Sequence, residues 1–151
     1  MTINQTNPQN DPPCNTIAYR LILKAGWIDP DDPNKANSAA FTRRRPKTNE
    51  SGEVSDPGDE DGLSVFDSIF WPDKKDCIEK NTNRCYGIIT LHIGRLLDLK
   101  LKIIRDPDDR SKLLITNLPF ENTDVVAERD LLEDVADSAR IAFLYKHRRK
   151  N

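Results

Sequence analysis

Three polar side chains in or beside predicted strands could bind a ligand or act in catalysis: Arg20, Ser64 and His92. Arg20 follows an aromatic residue in the first predicted strand, and its planar guanidinium suits a phosphate or a carboxylate. His92 lies at a predicted strand-to-helix junction, where it could act as a general base or donate to a phosphate. Ser64 offers a hydroxyl group on a later strand. The structural alternatives are an arginine paired with a local acid, a histidine bonded to a carbonyl, and a serine outside any Gly-x-Ser-x-Gly context.

A long charged segment, residues 42–62, lies between two apolar segments. Arg43 and Arg44 belong to a basic cluster, residues 43–47, that could contact the phosphates of a nucleic acid. Asp61 ends an acidic run that could bind calcium or magnesium, although the calcium-loop pattern is absent. Because the cluster has no interleaved aromatic residues and its charges are balanced by the acids that follow, a solvated loop is the alternative. Glycine and proline interrupt any regular element here, so we predict a flexible charged loop.

The composition predicts one small domain without a cofactor. The chain has 151 residues, of which 36% are apolar and 32% charged, and its formal net charge is −2. This charge produces no global attraction to nucleic acid or to an anionic membrane, so such binding would require a local patch. The sequence contains no phosphate loop, dinucleotide fingerprint or Cys-x-x-Cys pair, which makes nucleotide-dependent enzymes and zinc modules unexpected. We therefore predict neither a cofactor nor a metal site.

The termini and the cysteines favour a cytoplasmic protein that does not enter the membrane. No secretory leader is recognisable, and charged residues interrupt the most apolar stretch. Cys14, Cys77 and Cys85 are odd in number and irregular in spacing, which argues against a disulfide framework. Residues 1–14 are predicted to form a disordered tail, and residues 146–151 a basic tail.

Hydrophobic periodicity predicts a single α+β domain over residues 15–145. The predicted strands are residues 16–23, 63–66, 86–91, 100–103 and 113–116, the last two forming a hairpin. Residues 74–81 and 93–99 are predicted to form short helices. An apolar stripe from Val125 to Ala139 predicts the main C-terminal helix, and residues 141–145 either extend it or form a last strand. The predicted fold is a small, mostly antiparallel sheet with this helix packed on it.

These segments resemble a family of small uncharacterised bacterial proteins. The shared pattern consists of Tyr19-Arg20, Ser38-Ala39-Ala40-Phe41, Asp61-Gly62-Leu63-Ser64-Val65, residues 87–99 and the turn at Asp106-Pro107. The resemblance covers most of residues 19–140. No activity is known for that family, so the resemblance implies no functional residues.

A second resemblance is to ADP-ribosyltransferase-like domains. Some of these place an arginine on an early strand and a serine on a later one, the order in which Arg20 and Ser64 occur here. The resemblance implies an enzyme that acts on a nucleotide. It also requires a catalytic glutamate on a further strand, whereas Glu121 falls in a predicted loop and Glu128 and Glu133 in a predicted helix.

Three functional hypotheses follow. The first is a non-catalytic protein- or ligand-binding module that uses residues 29–62 and has a protein partner. The second is an enzyme acting on a nucleotide or phosphate-bearing substrate, with Arg20, Ser64 and His92 converging on one pocket. The third is a weak nucleic-acid binder that uses residues 43–47 and the basic tail.

Overall fold

The computed structural model describes residues 12–82 and 85–144, which form a mostly antiparallel α+β fold. The strands are β1 (Ile17–Leu21), β2 (Ile28–Asp29), β3 (Asp32–Ala36), β4 (Lys47–Thr48), β5 (Val54–Asp56), β6 (Leu63–Asp67), β7 (Gly87–His92), β8 (Ile103–Arg105), β9 (Lys112–Ile115) and β10 (Arg140–Leu144). The α-helices are α1 (Lys74–Asn81), α2 (Ile93–Asp98) and α3 (Val126–Ser138). Short 3-10 helices cover Ala25–Trp27, Ser38–Phe41 and Ser68–Phe70. The predicted fold class is confirmed.

The main sheet has six strands in the order β10-β7-β1-β6-β9-β8, and every neighbouring pair is antiparallel. Strand β1 lies in the middle, where Tyr19 pairs with Phe66 on one side and with Thr90 on the other. Strands β2 with β3 and β4 with β5 form two small separate sheets. The predicted hairpin near residues 100–117 is present as β8 and β9, although β8 begins three residues later than the predicted strand.

Alternation along the strands divides the buried side chains between the two faces of the sheet. On one face, Ala18 and Ile22 pack in a core that includes Leu132 and Val135 of α3. On the other face, a smaller core joins Tyr19 and other β1 side chains to α1. Helix α3 forms because its apolar residues recur at helical spacing, so that they are buried together on one face. The charged residues of the helix lie on the face exposed to water. The sheet therefore has helices on both faces.

The cysteines differ sharply in their access to water. Cys77 and Cys85 are fully buried in the smaller core, whereas Cys14 is exposed. Burial raises the pKa of the Cys77 thiol to about 12, and the neighbouring Cys85 adds to this shift. Burial also raises the pKa of Cys85.

These shifts predict a marked difference in thiol reactivity, because the thiolate is the reactive form of cysteine. At pH 8, we expect Ellman's reagent to modify Cys14 rapidly and to leave Cys77 and Cys85 unmodified while the protein is folded. In concentrated urea, all of the cysteines should react. Rapid modification of Cys77 or Cys85 in the folded protein would contradict the buried placement.

The segment 42–62 contains regular structure that the sequence did not predict. Strands β4 and β5 form a hairpin, whose turn is held by Asn49, because its side-chain oxygen accepts from the backbone N–H groups of Ser51 and Glu53. Gly58 has a φ of +63°, and a Cβ there would lie 2.6 Å from the Arg44 carbonyl oxygen. The prediction that glycine and proline interrupt any regular element here was wrong, since β4 and β5 pair across one turn, and Gly58 lies in another turn at a φ that favours glycine.

The ends of the described region bear on three further predictions. Cys14, assigned to the predicted tail, lies against α2, because a Cβ on Gly94 would lie 2.9 Å from the Cys14 carbonyl oxygen. Residues 1–11 of that tail lie outside the described residues. Residues 140–144 form a strand and do not extend the helix. The basic tail, residues 146–151, lies outside the described residues. No helix within the described ranges is long and apolar enough to cross a membrane.

Candidate ligand-binding cavity

The side chain of Arg20 lies on the core side of β1, where it forms structural contacts with two backbone carbonyl groups and an aromatic ring. Its Nε donates to the Ala40 carbonyl oxygen at 3.0 Å, and its Nη1 donates to the Ser64 carbonyl oxygen at 3.3 Å. Its guanidinium carbon lies 4.7 Å from the centroid of the Trp27 ring. Burial lowers the pKa of Arg20 to about 10, although the carboxylate of Asp59 acts in the opposite direction. Arg20 therefore remains charged at neutral pH and joins β6 to the 3-10 helix at Ser38–Phe41.

Arg20, Ser64 and His92 do not converge, so the geometric basis of the enzyme hypothesis was wrong. The side chain of Arg20 lies on the face of the sheet opposite to those of Ser64 and His92, as the strand registers require. Ser64 is level with Leu21, whereas His92 pairs with Ile17. These positions lie about 13 Å apart along β1.

Arg43 is held by backbone oxygens and an aromatic ring. Its Nε donates to the Leu118 carbonyl oxygen at 2.6 Å, and its Nη1 donates to the Glu60 carbonyl oxygen at 3.3 Å. Its guanidinium carbon lies 3.9 Å from the centroid of the Phe120 ring. Burial lowers the pKa of Arg43, and Asp59 opposes the shift. These contacts leave Arg43 poorly placed to bind a phosphate.

Arg44 forms ion pairs within its own segment. Its Nη1 lies 3.2 Å from a carboxylate oxygen of Asp56, and its Nε lies 3.6 Å from one of Asp59. The pKa of Asp56 is lowered chiefly by the backbone N–H of Gly58, with a further effect of Arg44. Two of the acids that follow the basic cluster therefore offset the charge of Arg44.

Asp61 and the candidate glutamates do not complete a catalytic set. The side chain of Asp61 is exposed to water. Glu121 lies outside the strands and accepts a hydrogen bond from the backbone N–H of Arg45 at 3.3 Å. Glu128 and Glu133 lie on α3, so none of these glutamates is on a strand of the described sheet. The described residues also include no group of three or more side chains placed to hold a metal ion.

A cavity of about 640 Å³ lies at one end of the main sheet, where β1 begins and β6 ends. The turn between β8 and β9 closes the same end of the sheet. Its volume falls within the range of about 300–1,000 Å³ that is typical of small-ligand sites. None of the site residues predicted from the sequence lines it.

A buried ion pair lies in the wall of this cavity. The Nη1 of Arg105 lies 2.7 Å from Oδ2 of Asp67, and the two side chains are only 8% and 4% exposed. The other carboxylate oxygen of Asp67 accepts from the backbone N–H of Ile69 at 3.1 Å, so it also caps the 3-10 helix at Ser68–Phe70. Arg105 Nη1 donates to the Arg110 carbonyl oxygen as well. These contacts join the end of β6, the end of β8 and the turn between β8 and β9 beside the cavity.

The rim combines apolar surface with a positive charge. Ile69 is 77% exposed and Phe70 is 44% exposed, and both line the cavity together with the half-buried Ile17. Arg110 is exposed at the same site, and no carboxylate of the described residues lies within 4.0 Å of its guanidinium. The arrangement is therefore suited to an apolar group that carries a negative charge.

A second, smaller cavity contains His92. It has a volume of about 460 Å³, and Cys14, Arg95 and Asp98 also line it. Cys14 and His92 are both exposed. The sequence identified His92 as a candidate but did not associate it with Cys14, which lies outside the predicted domain.

Comparisons with known proteins do not assign this chain to a family. No protein-family model matches it, and no match is found among curated proteins or among solved structures. The resemblances suggested by the sequence therefore stay predictions.

Proposed function

We propose that this protein is a non-catalytic binding module whose ligand or partner occupies the cavity beside Asp67 and Arg105. The observation that supports this most directly is the exposure of Ile69 and Phe70 beside Arg110. Large apolar side chains that are grouped and exposed next to a cavity are typical of interaction sites. The proposed site lies outside residues 29–62, the segment to which the sequence analysis assigned binding.

The character of the residues around the cavity supports binding in preference to catalysis. The described side chains that line it include no cysteine and no histidine. Its one carboxylate, on Asp67, is already engaged by Arg105 and by the backbone of Ile69. Such a carboxylate is poorly suited to act as a general base, because each of its oxygens already accepts a structural hydrogen bond and the side chain is only 4% exposed.

A protein is the favoured partner, because the apolar surface of Ile69 extends beyond the cavity. We also propose a cytoplasmic location, which the free thiols of Cys14, Cys77 and Cys85 support. The bacterial origin suggested by the family resemblance remains part of this proposal.

The probe 8-anilinonaphthalene-1-sulfonate tests the proposal, because it is an aromatic anion that becomes fluorescent in apolar sites. We expect the folded protein to bind one molecule of the probe. Ile69→Asn should weaken binding about tenfold through lost apolar contact, and Arg110→Ala should weaken it by a similar factor through lost charge pairing. Fluorescence titration would measure both effects, and circular dichroism would confirm that each variant is folded.

Matched substitutions on α3 provide the control. Val126 is 62% exposed and Arg129 is exposed, and neither lines the cavity. Val126→Asn and Arg129→Ala should therefore leave the binding constant of the probe unchanged. The proposal fails if the folded protein does not bind the probe, or if substitutions at the cavity and on α3 have equal effects.

A further inference from the structure

We propose that the natural ligand of this cavity is the carboxyl terminus of a partner protein, ending in an apolar residue. The inference rests on the proposed function, since it names the ligand of the same cavity. Three properties of the cavity support it: the charge balance of its lining, the location of its apolar surface, and the extent of that surface beyond the cavity.

The charge balance favours a ligand with a single negative charge. Asp67 and Arg105 form a close ion pair and offset each other's charge. Asp67 is the only acidic residue among the described side chains that line the cavity. Arg110 lines the same cavity, and no carboxylate of the described part of the chain lies within 4.0 Å of its guanidinium. The fork of donors of this guanidinium matches the two oxygens of a carboxylate.

The apolar side chains define where the end of the ligand would lie. Ile17, Ile69 and Phe70 contribute apolar surface to the same cavity as Arg110. A terminal residue carries its carboxylate and its side chain on one Cα atom, so it can use the charge and the apolar surface together. Burying an aliphatic or aromatic side chain contributes favourably to binding.

The surroundings of the cavity favour a peptide over a small free acid. Ile69 is 77% exposed, so apolar surface continues from the cavity onto the outside of the protein. The polar residues Asn15, Thr16 and Ser68 line the cavity as well and can exchange hydrogen bonds with peptide amides. A free acid small enough to fit the cavity would leave the outer part of this surface uncovered.

The test uses fluorescein-labelled hexapeptides with free carboxyl termini, randomised at the last two positions, and measures their binding by fluorescence anisotropy. We expect the binding sequences to end in valine, leucine, isoleucine or phenylalanine. Conversion of the terminal carboxylate to an amide should weaken binding at least about tenfold. Arg110→Glu should cause a similar loss, whereas Arg129→Glu, which changes the net charge equally, should cause none.

The outcomes separate this inference from the proposed function. Equal binding of free and amidated peptides, or a preference for polar terminal residues, overturns the inference. Absence of peptide binding, together with displacement of the anilinonaphthalene probe by 3-phenylpropionate, also overturns it, and shows a small-acid site that leaves the cavity as a binding site. If neither the probe nor any peptide binds at the cavity, the proposed function fails as well.

Discussion

Replacing Asp67 with alanine should lower the free energy of unfolding by about 3–5 kcal/mol, because the substitution breaks a buried ion pair by removing one of its two partners. The two groups are 2.7 Å apart, and both side chains are almost completely buried. The substitution also removes the acceptor for the backbone N–H of Ile69. Urea denaturation followed by circular dichroism would measure the loss.

Two further variants distinguish the cost of breaking a buried ion pair from a general defect in packing. Lys75→Ala, which disrupts the exposed pair with Glu79, should change the stability by less than about 1 kcal/mol. The double substitution Asp67→Leu with Arg105→Met should recover most of the loss, because apolar replacement of both partners leaves no buried charge. If the double variant is less stable than Asp67→Ala, the loss does not arise from the broken ion pair.

Replacing Phe41 with alanine should also destabilise the fold by about 3–5 kcal/mol, because it removes a fully buried aromatic ring from the main core. Phe41 ends the 3-10 helix at Ser38–Phe41, against which α3 packs. Hydrogen exchange should therefore show faster opening of α3 in this variant. Thermal or urea denaturation would give the change in stability.

The control for Phe41 is an apolar side chain that is not buried. Val54 lies on β5 and is largely exposed to water, so Val54→Ala should alter the stability by no more than about 0.5 kcal/mol. A loss below about 1 kcal/mol for Phe41→Ala would show that the ring is not part of a close-packed core.

The elements that bury one regular apolar face could be predicted from the sequence. Strand β1 alternates between the two cores, and α3 repeats its buried residues at helical spacing. In both cases the pattern is strong because burial on one face selects residue types at a fixed period.

The hairpin of β4 and β5 lacked such a pattern. Its strands have two and three residues, and their side chains are mostly exposed. The side-chain hydrogen bonds of Asn49 and the turn at Gly58 hold this segment in place. Polar turn residues predict where the chain reverses, but they do not show which short segments pair.

The cavity was missed because its charged residues are far apart in the sequence. Asp67 ends β6 and Arg105 ends β8, and the two meet only through the strand order of the sheet. One signal was nevertheless available. Leu63, Val65 and Asp67 follow the period of a buried strand face, and Asp67 continues that face with a charge. A charged residue at a core-facing position indicates a buried partner of opposite sign.

The central position of β1 has a consequence for how the chain acquires its structure. Ala18 and Tyr19 pair with residues of β6, and Tyr19 and Arg20 pair with residues of β7, which follow much later in the sequence. During synthesis, β1 therefore emerges from the ribosome long before either neighbouring strand exists. Contacts between residues so distant in sequence slow folding. We expect the main sheet to assemble only after β7 has been made, so that the first half of the chain depends on the second for its folding.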